Sequence, residues 1–194
     1  MGAEWVRWGV AAGLPVERYC GPVPTVVGLD LSLRSTGVAI EGEAFALACN
    51  ATGMARLAWI REMLLARIME TNNPVVCVEG YSFGSRNSQA HAAGELGGVV
   101  RLALWEAGVP YVDVPPTCRA KFATGKGNAS KAEVVSAVSA RTGLVWSGKG
   151  ADDCCDAWIL REMGQVQLGY GEYNWPVTHR AALEKVDWAP FAGV

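Results

Sequence analysis

Asp30, Glu79, Asp153 and Asp156 stand at places in this 194-residue chain where a carboxylate calls for a chemical reason. Asp30 interrupts the apolar run Val26-Val-Gly-Leu-Asp-Leu31, and Glu79 closes a second run, Val75-Val-Cys-Val-Glu79. An ionised carboxylate inside an apolar strand is costly unless a cation or hydrogen-bond donors compensate it. Asp153 and Asp156, three apart in Ala151-Asp-Asp-Cys-Cys-Asp-Ala157, share a face if that segment is helical. Asp152 and Asp156, four apart, would share one too, so spacing alone leaves Asp152 and Asp153 open. Taken singly, each residue has an ordinary explanation: a turn after a strand, a helix N-cap, a surface charge. Taken together, on two strand ends and one helix, they make an oxygen-only donor set without His or Cys, which suits Mg²⁺, with Mn²⁺ as a substitute. Two such ions about 3.5–4 Å apart can activate a water and stabilise the leaving oxygen in phosphodiester cleavage. Asp113 alternates with Val112 and Val114, which turns it to the other side of its strand and away from this set.

The elements that must position these groups follow from periodicity. Residues 25–31 form a short apolar run that reads as a strand buried on both faces, 34–37 as a turn, 38–40 as a returning strand and 44–49 as a third. Leu57, Ile60, Leu64 and Ile68 recur at helical steps over about 52–71. Residues 74–79 form another buried strand, 88–107 a helix despite Gly94, Gly97 and Gly98, and 111–114 a fifth strand stopped by Pro115-Pro116. After a glycine-rich loop come helices over about 130–142 and 151–163. The order predicts an α/β fold: a mixed five-stranded sheet that opens with an antiparallel meander and is covered by helices. The three helix glycines suit a place where another backbone approaches closely, either the chain's own sheet or a second subunit. The domain divides as an N-terminal extension over 1–24, a core over 25–164, and a Tyr-, Trp- and Pro-rich tail over 165–194 that packs back on the core or lies at an interface.

Composition narrows the class. At 51% hydrophobic the chain can fill one core, and no run approaches the roughly 18 apolar residues of a membrane span. No signal-peptide pattern opens it, so a cytoplasmic protein without membrane contact is expected. Cys20, Cys49, Cys77, Cys118, Cys154 and Cys155 lack paired spacing, which excludes a disulfide framework, and with only His91 and His179 to add they cannot assemble a local zinc site. A net charge of −2 argues against nonspecific nucleic-acid binding, but it conceals a basic stretch. Between Thr117 and Gly150, Arg119, Lys121, Lys126, Lys131, Arg141 and Lys149 face the single acid Glu133, as a phosphate-tracking surface requires.

Four segments carry a resemblance: Gly28-Leu-Asp-Leu-Ser-Leu-Arg-Ser-Thr-Gly37, Val78-Glu-Gly-Tyr-Ser-Phe83, Gly127-Asn-Ala-Ser-Lys-Ala-Glu133 and Asp153-Cys-Cys-Asp-Ala157. In this order, over about 25–163, the chain resembles RuvC-type Holliday junction resolvases, in particular their divergent phage branch. The first segment alone is shared with actin-like ATPases and sugar kinases; the four together are specific. The resemblance implies a ribonuclease H-like fold, a homodimer, and Mg²⁺-dependent nicking of two symmetric strands of a four-way DNA junction in recombination and repair, in the host cytoplasm if the protein is phage-encoded. It assigns the catalytic and metal-holding carboxylates to Asp30, Glu79, Asp153 and Asp156, its Asp-x-x-Asp spacing favouring Asp153 over Asp152. It assigns Lys131 to catalysis beside the scissile phosphate, with Lys121 a looser match. DNA contacts are then expected from Arg34, Arg119, Lys121, Lys126 and Lys131. Tyr81, Phe83 and Arg86 fall in a loop that contacts the junction, where an aromatic could stack on an unpaired base or simply pack on the sheet edge. Both ends depart from the bacterial pattern, and binding to a branch-migration helicase is not carried over.

Two other functions share some of these features. A nuclease for flaps, forks or RNA–DNA hybrids would use the same carboxylates. A nucleotide-binding ATPase would use the turn from Asp30 to Gly37 for phosphates but needs a second glycine-rich loop, for which Gly94-Glu-Leu-Gly-Gly98 is a poor substitute.

Overall fold

The computed structural model describes residues 23–81 and 88–194. Five strands, β1 (Thr25–Asp30), β2 (Thr36–Ile40), β3 (Glu43–Leu47), β4 (Pro74–Glu79) and β5 (Tyr111–Val114), form one sheet in the order β3-β2-β1-β4-β5. The first three make the expected antiparallel meander, while β4 and β5 join parallel to β1. The helices are α1 (Gly53–Met69), α2 (Ser88–Glu106), α3 (Pro116–Thr124), α4 (Lys131–Thr142), α5 (Ala151–Leu168) and the short α6 (Val177–Arg180).

Strand alternation divides the core in two. Val27, Leu29, Val76 and Val78 pack with Leu57, Ile60, Leu64 and Ile68 of α1 and with Leu96, Val100 and Leu104 of α2. Val26, Val75, Cys77, Val112 and Val114 face the opposite way, toward α3, α4 and α5. A side chain at every second position shares a face, so Asp30 follows Val26 and Gly28, and Glu79 follows Val75 and Cys77, onto the α5 side. The parallel register pairs Leu29 with Val78, which brings Asp30 and Glu79 to adjacent strand ends. Asp113 faces the other side, where it pairs with Arg101 of α2.

Helix α5 lies unusually close to this face. A Cβ on Gly28 would stand 1.9 Å from the Ala157 carbonyl oxygen, and one on Gly37 would stand 2.0 Å from that of Asp153. Only a residue without a side chain lets the helix seat its first two turns against β1 and β2.

Two expectations need correction. Pro115-Pro116 stops β5 but also starts α3, with Pro116 at the first helical position, where a missing N–H costs nothing. The segment from Pro116 is therefore a helix rather than a loop. The helix over 151–163 continues to Leu168, so a boundary at Gly164 falls inside α5. Beyond it Trp175, Ala182, Leu183, Val186 and Phe191 are buried in the same cluster as α3, α4 and α5, so the tail packs back on the core. Residues 1–22, which hold most of the N-terminal extension, lie outside the described residues. Cys49, Cys77, Cys118, Cys154 and Cys155 are free thiols.

Candidate active site

Three carboxyl groups converge where β1, β4 and α5 meet, and an arginine from α3 lies among them. Asp30 and Asp156 are buried, and the Glu79 side chain is 18% exposed. Arg119 donates from Nε to Glu79 Oε1 at 2.5 Å and from Nη1 to Asp156 Oδ1. Burial pushes the Asp30 carboxyl well above the usual range, and the charges of Glu79 and Asp156 push in the same direction against the pull of Arg119. Asp156 is pushed up to about 6, first by burial, with Arg119 opposing and Glu79 adding to the rise. Burial disfavours the charge on Arg119, but Glu79 and Asp156 outweigh it and hold the guanidinium protonated. One arginine thus leaves Asp30 and Asp156 raised by burial and by their acidic neighbours, a state that a proton or a further cation would relieve.

Lys131 supplies a second positive charge at the rim. It is the first residue of α4, presented by a capping box in which Ser130 Oγ accepts from the Glu133 backbone and Glu133 accepts from the Ser130 backbone. Its ammonium donates to Asp152 Oδ2 at 2.9 Å and Asp153 Oδ1 at 3.4 Å. Burial works against its charge, but the Asp152 hydrogen bond and the carboxylates of Asp152, Asp156 and Asp153 raise its pKa above the usual lysine range. Asp153 is sheltered, its side chain 15% exposed, whereas that of Asp152 is 47% exposed. Neither caps α5, since Gly150 occupies the N-cap.

The remaining candidates are spread more widely. Arg34 and Lys126 are exposed and Lys121 is half-buried. Tyr81 packs over Gly97 of α2, where a Cβ would meet its hydroxyl at 2.3 Å, and Arg101 lies over its ring at 4.5 Å from the centroid. Gly97 therefore serves packing within the chain, while Gly94 and Gly98 face open space. Phe83 and Arg86 lie outside the described residues. Arg119, expected on the phosphate-tracking surface, is instead buried inside the cluster. The signal that could have placed it is the position of α3: three residues past Pro116, on a helix that starts at the end of β5, it must point toward the sheet edge where Glu79 ends.

The donor set suits Mg²⁺ or Mn²⁺ in its chemistry, being carboxylate oxygens with a charge deficit. Among the described residues, however, no three His, Cys, Asp or Glu close around a common metal position. Arg119 stands between Glu79 and Asp156 and bonds both.

No family model matches the chain. It is similar in fold to the Thermus thermophilus RuvC bound to a Holliday junction substrate, with a TM-score of 0.60 and 22% identity over 78% of this chain and 100% of that one. The chain has the RuvC fold. A second Thermus thermophilus RuvC structure matches with a TM-score of 0.58 and 22% identity, over 77% of this chain and 99% of that one. In sequence the chain is 31% identical over 105 residues to the crossover junction endodeoxyribonuclease RuvC of Chloroflexus aggregans, a stretch that covers 54% of this chain and 63% of that protein. The match therefore spans less than two thirds of that RuvC's length. Among the described residues no helix is long and apolar enough to cross a membrane.

Proposed function

We propose that the protein is a divalent-metal-dependent endonuclease that resolves four-way DNA junctions by paired symmetric nicks, working as a homodimer in the cytoplasm. The observation that carries this reading is the cluster in which Asp30 and Glu79, at adjacent strand ends of a RuvC fold, meet Asp156 of α5, three carboxyl groups around the one guanidinium of Arg119. Asp30, Glu79, Asp153 and Asp156 would hold Mg²⁺ or Mn²⁺, two ions in each site. When bound, the metal would supply an activated water and charge stabilisation for the leaving oxygen. Lys131, held at the rim by Asp152 and Asp153, is within reach of a phosphate seated on the cluster. Arg34, Lys121 and Lys126 would follow the backbone of the DNA arms, and Tyr81 with Phe83 and Arg86 would meet the junction centre.

A two-fold dimer matches the two equivalent nicks a junction requires. Helix α2 supports it with an outward stripe: Gly98 is open, Leu102 is exposed and Trp105 is 73% exposed. Residues spaced three and four apart on a helix share one face, and an apolar face of this kind fits a symmetric helix pair.

The test is a panel of synthetic substrates, comprising a four-way junction, a flap, a fork and an RNA–DNA hybrid, incubated with the protein with and without Mg²⁺. Paired nicks in the junction at Mg²⁺-dependent rates well above those on the other substrates are expected. Equal or greater activity on flaps or hybrids would replace the resolvase by a different structure-selective nuclease. Measured mass in solution should be about twice 20.6 kDa.

A further inference from the structure

Arg119 stands in a place that a metal-binding carboxylate cluster does not ordinarily give to a side chain. It leaves α3, reaches the end of β4 and the N-terminal half of α5, and bonds two of the three carboxylates of the cluster at once. It is itself largely buried, its side chain 9% exposed, so little solvent screens its charge. The guanidinium spends separate donors on separate carboxylates, so it acts as a bridge rather than as one half of a simple pair.

We propose that Arg119 is a built-in counter-cation that competes with the divalent metal for Glu79 and Asp156, so that metal loading requires the guanidinium to release at least one of them. The proposal rests on the nuclease reading and adds to it a regulation of the same site. Three observations support it. The two oxygens that Arg119 engages, Glu79 Oε1 and Asp156 Oδ1, belong to two residues of the proposed metal set. Among the described residues no three carboxylates close around a common metal position. The cluster holds three carboxyl groups against this one bridging cation, so a metal would find charge there but would have to share Glu79 and Asp156 with the guanidinium. A buried carboxylate deprived of a partner is strongly unfavourable. An arginine that compensates two of them therefore keeps the metal-free protein folded and lowers its affinity for Mg²⁺ and Mn²⁺ by the same bonds.

The consequence is measurable without activity. Mn²⁺ binding, followed by electron paramagnetic resonance of the free ion and by calorimetry at pH 8, should be at least about tenfold tighter in Arg119→Met than in the wild type, the difference of about one charge-assisted hydrogen bond. Arg119→Lys, which keeps the charge but cannot reach both carboxylates, should fall between them and serves where the methionine variant fails to fold. Lys131→Met removes a cation from the same field and frees only Asp153 Oδ1 of the proposed metal set, from a longer contact of 3.4 Å at the rim, and should tighten binding by less. In the wild type itself, the slowly exchanging Arg119 Nε–H signal, identified by its loss in Arg119→Lys, should shift on saturation with Mg²⁺. Equal Mn²⁺ affinity in wild type, Arg119→Lys and Arg119→Met overturns the proposal and leaves the nuclease reading intact. So does an Nε–H signal unmoved by saturating Mg²⁺, or a Lys131→Met effect as large as that of Arg119→Met. Absence of Mn²⁺ binding in every variant, including wild type, removes the nuclease reading and the proposal together.

Discussion

The two halves of α5 bury charge in opposite ways. In its N-terminal half Asp156 faces Asp30 and Glu79, carboxylate against carboxylate, with Arg119 shared among them. In its C-terminal half Glu162 is wholly buried, and accepts hydrogen bonds from the backbone N–H of Glu172, that of Tyr173, and Nε1 of Trp175. Both carboxyls are raised above their ordinary range by burial first. They differ in what opposes that rise: fixed N–H donors of the tail at Glu162, and at Asp156 the charges of Arg119 and, more weakly, Lys131, set against neighbouring acids. A buried charge whose donors are complete is an anchor for structure, whereas one whose neighbours repel it is waiting for a ligand. Arg161, beside Glu162, bonds Glu172 yet keeps Nε and Nη1 without partners among the described residues, so the anchor half is well satisfied at its acid and less so at its base.

The largest effect that would break this contrast is on cleavage. Asp30→Asn, Glu79→Gln and Asp156→Asn should each slow junction cleavage on the order of a thousandfold or more, since loss of partners one shell further out already costs 10–100-fold in metal sites. Gel-shift affinity for the junction should change little, because the basic contacts remain. Removal of metal with a chelator should have the same result, reversed by Mg²⁺. Asp153→Asn should behave likewise and Asp152→Asn much more mildly; the reverse ranking would transfer the metal role to Asp152. Asp30→Asn should also stabilise the metal-free protein, by about 1 kcal/mol, as expected where a functional charge is held against its environment. Near wild-type turnover in any of the three would take that residue out of the site.

Glu162→Ala should do the opposite. It leaves three donors unsatisfied, one of them the buried Trp175 Nε1, and should cost about 2–4 kcal/mol in chemical denaturation. Cleavage per folded molecule should stay within a few-fold of wild type, on the scale where 1.4 kcal/mol is tenfold. A large loss of cleavage at unchanged stability would mean that the tail serves the chemistry rather than the fold.

Gly37→Ala probes the link between the halves and the sheet. The added Cβ would collide with the Asp153 carbonyl, a backbone atom that cannot swing aside. Displacing the first turn of α5 should cost about 1–3 kcal/mol, the usual range for overpacking. It should also lower cleavage by moving Asp153 and Asp156, while Gly42→Ala, strained by a φ of +89° but with nothing for its Cβ to meet, should lose stability through the turn and leave Asp153 and Asp156 in place. Equal cleavage in the two variants would show that helix placement is looser than the close contact implies.

These contacts also mark where the sequence was legible. The five strands, the meander, and the α1 stripe of Leu57, Ile60, Leu64 and Ile68 follow from local periodicity, and period-two alternation alone carries Asp30 and Glu79 to one face. Helix α3 was not legible because Pro115-Pro116 serves equally as a strand stop and a helix start. Burial of Arg119 depended on α3, so a residue grouped by composition with the surface lysines turned out to sit inside the cluster. The anchor at Glu162 was equally hidden. Its partners Glu172, Tyr173 and Trp175 come from a tail without any period, and its role exists only after that tail has folded back.

The smallest effect, and the one that separates the two carboxyls most directly, is their response to pH and Mg²⁺ together. In the metal-free protein Asp156 moves from its ordinary value of 3.8 to about 6. A carboxyl raised on folding holds its proton more tightly in the folded chain, so its contribution to stability is fully present below about 4 and is lost as pH rises through about 6. Glu162 is raised as well and follows the same sign. Asp152 and Glu133 are lowered, Asp152 chiefly by its hydrogen bond with Lys131 and Glu133 by the Ser130 backbone, so their contributions are lost instead as pH falls. These opposing groups overlap in acid, and the informative quantity is therefore the stability of Asp156→Asn relative to wild type. In chelator that difference should move in favour of the variant by about 1–2 kcal/mol between pH 4 and 7, because the wild type alone must ionise a buried group over that interval. With saturating Mg²⁺ the trend should reverse, since a bound cation favours the ionised form that only the wild type can offer. For Glu162→Gln the corresponding difference should be the same with and without Mg²⁺, its donors being fixed by the fold. A Glu162 difference that responds to Mg²⁺, or an Asp156 difference that does not, would erase the distinction between anchor and ligand on which the two halves of α5 have been told apart.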